Sequence, residues 1–197
     1  MSALGSQLTA ERAERAERAE RQTVQRLFGR YVSTSVATEV ARQVDTGELS
    51  LGGERHEITA MFADIRGFTQ LSGEVEPEVA MLVVNQIMQV LIRQVDAGGG
   101  IVNKFSGDGL LAVWNVPQAH PNHVGAAVAA AEAALREWAS LSGDYPGVSD
   151  VQFAVGIDTG TAVAGIVKTE QRSEYTVIGD TANLAARLCA ATPGGSL

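Results

Sequence analysis

Ile58-Thr59-Ala60-Met61-Phe62-Ala63-Asp64-Ile65-Arg66-Gly67-Phe68-Thr69 is the stretch on which the reading of this chain turns. Its first part is an apolar run, dense enough in bulky residues to be a buried strand. One carboxylate, Asp64, closes the run, and a loop centred on Gly67 follows. An unpaired charge taken out of water is costly or shifts its pKa, so an acid at a strand end must meet solvent or a cation. The loop behind it offers backbone N–H groups that suit an anion. An Asp beside such a loop suggests a metal-bound phosphate ester. An Asp that ends a strand by starting a turn fits the same letters, and the stretch alone leaves both readings open.

The rest of the composition narrows the class. The 197 residues are 45% hydrophobic, enough for one ordinary domain with an extension. The net charge of -8 argues against a nucleic-acid surface. Cys189 is the single cysteine, which rules out an internal disulfide and fits a reducing compartment. No apolar run reaches the roughly 18 residues that span a bilayer, and the N-terminus lacks the apolar core of a signal peptide. A cytoplasmic location is expected, with room for a sensor or membrane domain in a longer parent.

Upstream, residues 8–22 repeat Glu-Arg-Ala, which sets Glu11–Arg15, Glu14–Arg18 and Glu17–Arg21 as i,i+4 pairs. A period of three drifts around a helix, so this is a solvated helical connector without an apolar stripe. Val24, Leu27, Phe28, Tyr31 and Val32 then recur at helical spacing, giving a seam for another helix. We place a helical, coiled-coil transducer segment at 1–50 and a catalytic domain at 51–197.

Downstream, Pro77 opens a helix whose apolar face runs from Val79 to Leu91, as far as about Asp96. Ile101–Phe105 and Leu110–Trp114 flank an Asp-Gly turn and form a hairpin with Asp108 at its tip. His120–Leu141 reads as an alanine-rich helix. Val151–Ile157 and Thr161–Val167 read as two strands with Asp158 as a turn residue, and Lys168–Glu174 as a mobile excursion. A short strand, Tyr175–Ile178, and a helix capped by Asp180 complete the series. This order predicts an α+β, ferredoxin-like βαββαβ sandwich with its helices on one face of the sheet.

Asp64 and Asp108 both fall at sheet ends, which suits a two-carboxylate cation site. Two acids alone carry little weight, but three longer runs surround them. FADIRGFT (62–69), NKFSGDGLLAVW (103–114) and YTVIGDTANLAARL (175–188), in this order, resemble the catalytic domain of class III nucleotidyl cyclases. The resemblance starts near Tyr31, with the segment RYVS, and reaches Leu197.

The resemblance implies a set of roles. Asp64 and Asp108, with the Ile65 carbonyl, would hold two Mg²⁺ or Mn²⁺ ions. The amides of Ile65, Arg66, Gly67, Phe68 and Thr69 would cradle the triphosphate. Lys104 and Thr176 would read the purine, Asn183 would orient the ribose, and Arg187 would stabilise charge on the α-phosphate. Guanylyl cyclases typically carry Glu and Cys at the two purine positions, so ATP is favoured over GTP. In this family the aspartates come from one subunit and the purine-reading and Arg residues from the other, which implies a head-to-tail homodimer.

Taken singly, each residue has a plainer reading. Lys104 is also an ordinary strand-edge lysine, Thr176 a common strand residue and Asn183 helix-surface filler. Arg187 could pair with an acid. The Arg66 side chain shapes the loop or stays solvated rather than holding phosphate. His56, His120 and His123 show no ligand spacing, and Cys189 is a buried helix residue.

The chain departs from the pattern at its end. Family domains run on through another strand pair bearing a lysine for the terminal phosphates, so a truncated domain with weak activity, or none, is expected. A guanylyl cyclase and a non-catalytic dimerisation or nucleotide-sensing module remain the alternatives.

Overall fold

A computed structural model describes residues 53–144, 150–168 and 173–197. The expected helical segment at 1–50 lies outside them, as does most of the excursion after Lys168. The described elements are β1 (Glu54–Ile65), α1 (Phe68–Glu74), α2 (Pro77–Ala97), β2 (Ile101–Ser106), β3 (Gly109–Trp114), α3 (His123–Leu141), β4 (Phe153–Lys168), β5 (Ser173–Ile178) and α4 (Asp180–Ala191). The five strands form one antiparallel sheet in the order β2-β3-β1-β4-β5. The elements from β1 to β4 make a ferredoxin-like βαββαβ unit, and β5 and α4 extend it. Among the described residues no helix is long and apolar enough to cross a membrane.

The strand alternation of β1 decides what lies on each side. Met61, Ala63 and Ile65 share one face, pairing with Ala112, Leu110, Val155 and Phe153 on the neighbouring strands. All seven belong to the core under α2 and α3, with Val83, Ile87, Leu91 and Val95 from α2 and Ala127, Ala131, Ala134 and Trp138 from α3. Alanines at these α3 positions let its backbone come close to α2 and the sheet.

The opposite face carries Phe62 and Asp64, which pair with Gly156 and Ala154 of β4. Helix α4 lies on this face, so the helices do not share one side of the sheet as the element order suggested. A Cβ on Gly156 would sit 2.1 Å from the Cys189 nitrogen and 2.3 Å from the Ala185 oxygen, so only glycine admits the helix backbone. The Cys189 thiol donates to the Ala154 carbonyl at 3.3 Å from the same side.

Two further expectations change. β4 is one 16-residue strand rather than two. It runs straight through Asp158 and Thr159 because β1 pairs with it without a break from Glu54 to Ile65, Asp158 opposite Ala60 and Thr159 opposite Thr59. The two threonine hydroxyls bond at 2.8 Å, so Asp158 is a strand residue and not a turn. Helix α3 begins at His123, not His120, since Pro121 biases its predecessor away from helical angles.

Candidate active site

Asp64 is the penultimate residue of β1 and lies opposite Gly109 of β3. Asp108 occupies the hairpin turn immediately before Gly109. The approach is close: a Cβ on Gly109 would stand 2.8 Å from Asp64 Oδ1 and 2.7 Å from the Ala63 carbonyl. The Asp64 carboxyl is pushed above the ordinary range, first by burial and then by the negative charge of Asp108, with Arg66 pulling the other way. Two residues 44 positions apart in sequence are thus brought near enough for the charge of Asp108 to raise the Asp64 pKa. Paired like charges, partly out of water, are relieved by a divalent cation with a preference for oxygen ligands.

The Arg66 N–H bonds to the Gln152 carbonyl of the neighbouring chain segment at 2.7 Å. Backbone groups alternate sides along an antiparallel strand, so the Ile65 carbonyl turns the other way, toward the hairpin that carries Asp108. Asp64, Asp108 and the Ile65 carbonyl are thus the oxygen groups at this end of the sheet that could hold a cation. Among the described residues no group of three or more His, Cys, Asp and Glu side chains does so.

The loop after β1 is built on Gly67, whose φ of 67° lies in the left-handed region. It ends the strand and starts α1, whose first-turn N–H groups have no partner inside the helix. Gly67 and Thr69 are exposed, and Phe68 packs its ring against the core. Arg66 departs from the expected cradle. Its amide is spent on Gln152, and its guanidinium donates to the Cys189 carbonyl and, at 2.9 Å, to the Thr192 carbonyl. Nη1 of the same side chain stands 3.8 Å from Asp64 Oδ2. The last carbonyls of a helix lack partners and carry negative potential, which is what a guanidinium seeks. Arg66 therefore fastens the loop to the end of α4, leaving Gly67, Phe68 and Thr69 as the open part.

Lys104 is exposed on β2, opposite Leu111. Thr176 is half-buried on β5, opposite Gly165. These strands are at opposite edges of the sheet, yet they touch: Asn103 Nδ2 donates to the Tyr175 carbonyl at 3.1 Å. Each end of that bond is the immediate neighbour of one of the two residues. Asn183 and Arg187 are both exposed on α4, and the helix turns Thr181, Ala185 and Cys189 inward. The i,i+4 spacing places Asn183 and Arg187 on one outward face. Asp180 makes no side-chain cap to α4, and Gly179 precedes the helix instead.

Within this chain the structure brings the acids, the Gly67 loop and Arg66 into one cluster and sets Lys104 near Thr176. Among the described residues no hydrogen bond or ion pair joins Lys104, Thr176, Asn183 or Arg187 to Asp64 or Asp108. Two contributors escape a reading of the letters. Gly156 sets the height of α4 through a backbone contact, and Asn103 joins the sheet edges; neither spacing nor composition marks them. The buried histidine, His123, is structural: its Nδ1 shares a 2.7 Å hydrogen bond with Thr59 Oγ1.

Comparison with known proteins agrees with this geometry. Residues 53–196 match the family model described as the adenylate and guanylate cyclase catalytic domain. The uncharacterized protein Rv1319c of Mycobacterium tuberculosis is 37% identical over 168 residues, covering 85% of this chain and 30% of the relative. The chain thus spans about 30% of the length of the curated relatives it matches. The solved structure of the adenylyl cyclase CyaB from P. aeruginosa superimposes with a TM-score of 0.69 at 30% identity, covering 74% of this chain and 76% of that one. That of the guanylyl cyclase Cya2 gives a TM-score of 0.66 at 32% identity, covering 73% and 74%.

Proposed function

Since this chain belongs to the adenylate and guanylate cyclase catalytic-domain family, we propose that it converts ATP to 3′,5′-cyclic AMP and pyrophosphate in a head-to-tail homodimer. The convergence of Asp64 and Asp108 carries the reading. Asp64, Asp108 and the Ile65 carbonyl would hold Mg²⁺ or Mn²⁺, and burial beside the negative Asp108, which raises the Asp64 pKa, is a charge conflict that such a cation would relieve. When bound, divalent cations favour the alkoxide at the attacking hydroxyl and neutralise phosphate charge.

The protein's own work is positioning and electrostatics. The ribose 3′-oxygen attacks the α-phosphorus in line and pyrophosphate leaves. The open amides of Gly67, Phe68 and Thr69 receive the phosphates. Lys104 donates to a ring nitrogen of adenine, and Thr176 accepts from the 6-amino group. Asn183 orients the ribose. Arg187 meets the charge that spreads over the α-phosphate, and its planar, permanently charged fork suits that task better than a lysine.

The partner copy supplies what one chain keeps apart. Asn183 and Arg187 face outward, and exposed apolar side chains stand on four elements: Phe105 on β2 at 60%, Ile178 on β5 at 64%, Val167 on β4 at 50% and Leu188 on α4 at 41%. Exposed large apolar side chains are what an association surface presents. The likeness to Cya2 makes GTP the second reading; Lys104 and Thr176 favour ATP over it.

Turnover of ATP and GTP, each with Mg²⁺ and with Mn²⁺, tests the assignment. Cyclic AMP should form, Asp64→Ala should abolish it, and sedimentation should show that Asp64→Ala still dimerises. A strict monomer at full activity refutes the shared site, and a chain that binds nucleotide without turnover refutes the enzyme.

A further inference from the structure

The β2–β3 ladder contains one irregularity. Ile101 and Val102 lie opposite Val113 and Ala112, but Lys104 lies opposite Leu111, with the register shift between Val102 and Lys104. Asn103 is the extra residue. In an uninterrupted ladder Asn103 would face Leu111 and Lys104 would face Leu110. Leu110 and Ala112 are core residues under α2 and α3. Leu111 instead pairs with both Lys104 and Phe62 and shares the face of Asp64. A one-residue slip exchanges the two faces of a strand, and a bulge is how a strand re-aims a side chain. The bulge therefore turns Lys104 away from the core and onto the face that carries Asp64 and α4.

The bulged residue is the one that reaches across to β5. Its Nδ2 donates to the Tyr175 carbonyl, beside Thr176. Its Oδ1 is buried without a hydrogen-bond partner. A side chain with one amide atom satisfied and the other orphaned contributes little net stability, so packing does not explain an amide here.

We propose that Asn103 is a specificity-setting positioning residue. Its bulge fixes the face of Lys104, and its bond to Tyr175 fixes the span from Lys104 to Thr176, so the pair fits one purine and rejects the other. This rests on the assignment of Lys104 and Thr176 to base reading. Asn103 touches neither base nor phosphate; it acts by holding the two residues that do.

The test compares ATP with GTP, as kcat/KM for cyclisation and as Kd for fluorescent ATP and GTP analogues, so that binding reports even where turnover is slow. The variants are Asn103→Leu, which keeps the size and loses the amide, and Asn103→Asp, which keeps the shape and sets an acceptor against the Tyr175 carbonyl. Both should lower the preference for ATP over GTP by roughly tenfold, the factor carried by one displaced hydrogen bond. A residue needed only for folding would depress both nucleotides in proportion. Lys104→Glu is the companion variant. If it changes the preference and both Asn103 variants stay within about twofold of the parent, the proposal is overturned and base reading stands. If Lys104→Glu also leaves the preference unchanged, the base-reading assignment falls and the proposal falls with it.

Discussion

Gly156→Ala tests how closely the site depends on the seating of one helix. The new Cβ would lie 2.1 Å from the Cys189 nitrogen, whereas ordinary contact begins near 3.4 Å, so α4 or β4 must yield by 1.3 Å (3.4 − 2.1). The obstructing atoms are backbone, with the Ala185 oxygen at 2.3 Å and Cys189 Cα at 2.8 Å, and no rotamer change relieves them. Overpacking of this kind costs about 1–3 kcal/mol. At about 2–4 °C per kcal/mol for a domain of this size, the melting temperature should fall by about 2–12 °C. Activity should fall further than stability. Asn183 and Arg187 ride on α4, and a misplacement of about 1 Å can cost on the order of 100-fold in rate. Thermal melting followed by circular dichroism and initial-rate cyclase assays well below the melting point read the two effects apart. A Gly156→Ala protein with parental melting and parental kcat would refute the claim that α4 sits in contact with the sheet backbone.

Further outcomes follow from the same geometry. Asp64→Asn and Asp108→Asn should each abolish cation-dependent turnover while leaving the metal-free protein as stable as the parent or more so, as thermal melting with a chelator would show. The Asp64 pKa is raised in the fold, so its contribution to stability is fully present below the unfolded value of 3.8 and is lost as pH rises through the folded value. Metal-free melting temperatures should carry that decline, and Asp64→Asn should remove it. Burial pushes the Cys189 thiol up to about 11. At pH 8 only about one molecule in 1,000 holds the thiolate, and maleimide labelling of the native protein should lag far behind that of the unfolded chain. Thr59→Val should leave the buried His123 nitrogen unpaired and cost about 1–3 kcal/mol in urea unfolding.

Much of this architecture can be read in the letters, because its causes are local. The alternation through Met61, Ala63 and Ile65, the Asp-Gly turn after Phe105 and the apolar stripe of α2 each depend on neighbours within a few positions. The meeting of Asp64 with Asp108 follows once β1 pairs with the hairpin. What stays hidden depends on distant backbone. β1 and β3 are apolar on both faces, so nothing in them says which side α4 will take; the vacancy at Gly156 decides it. Arg66 finds carbonyls 123 and 126 residues away, and a carbonyl has no letter of its own. The unbroken course of β4 through Asp158 is imposed by lateral pairing with β1, which overrides the turn preference of that residue.

The sheet order has a further consequence. Around Asp64, β1 is flanked by both β3 and β4, so the amides there should exchange with solvent water only when most of the fold opens. Lys104 and Thr176 belong to the two border strands, which can detach locally at far smaller free energy. The acids are thus tied to the survival of the domain itself, whereas the base reading we propose for Lys104 and Thr176 rests on margins that mutation can alter cheaply. On that reading, a change of preferred nucleotide would leave the folding core untouched.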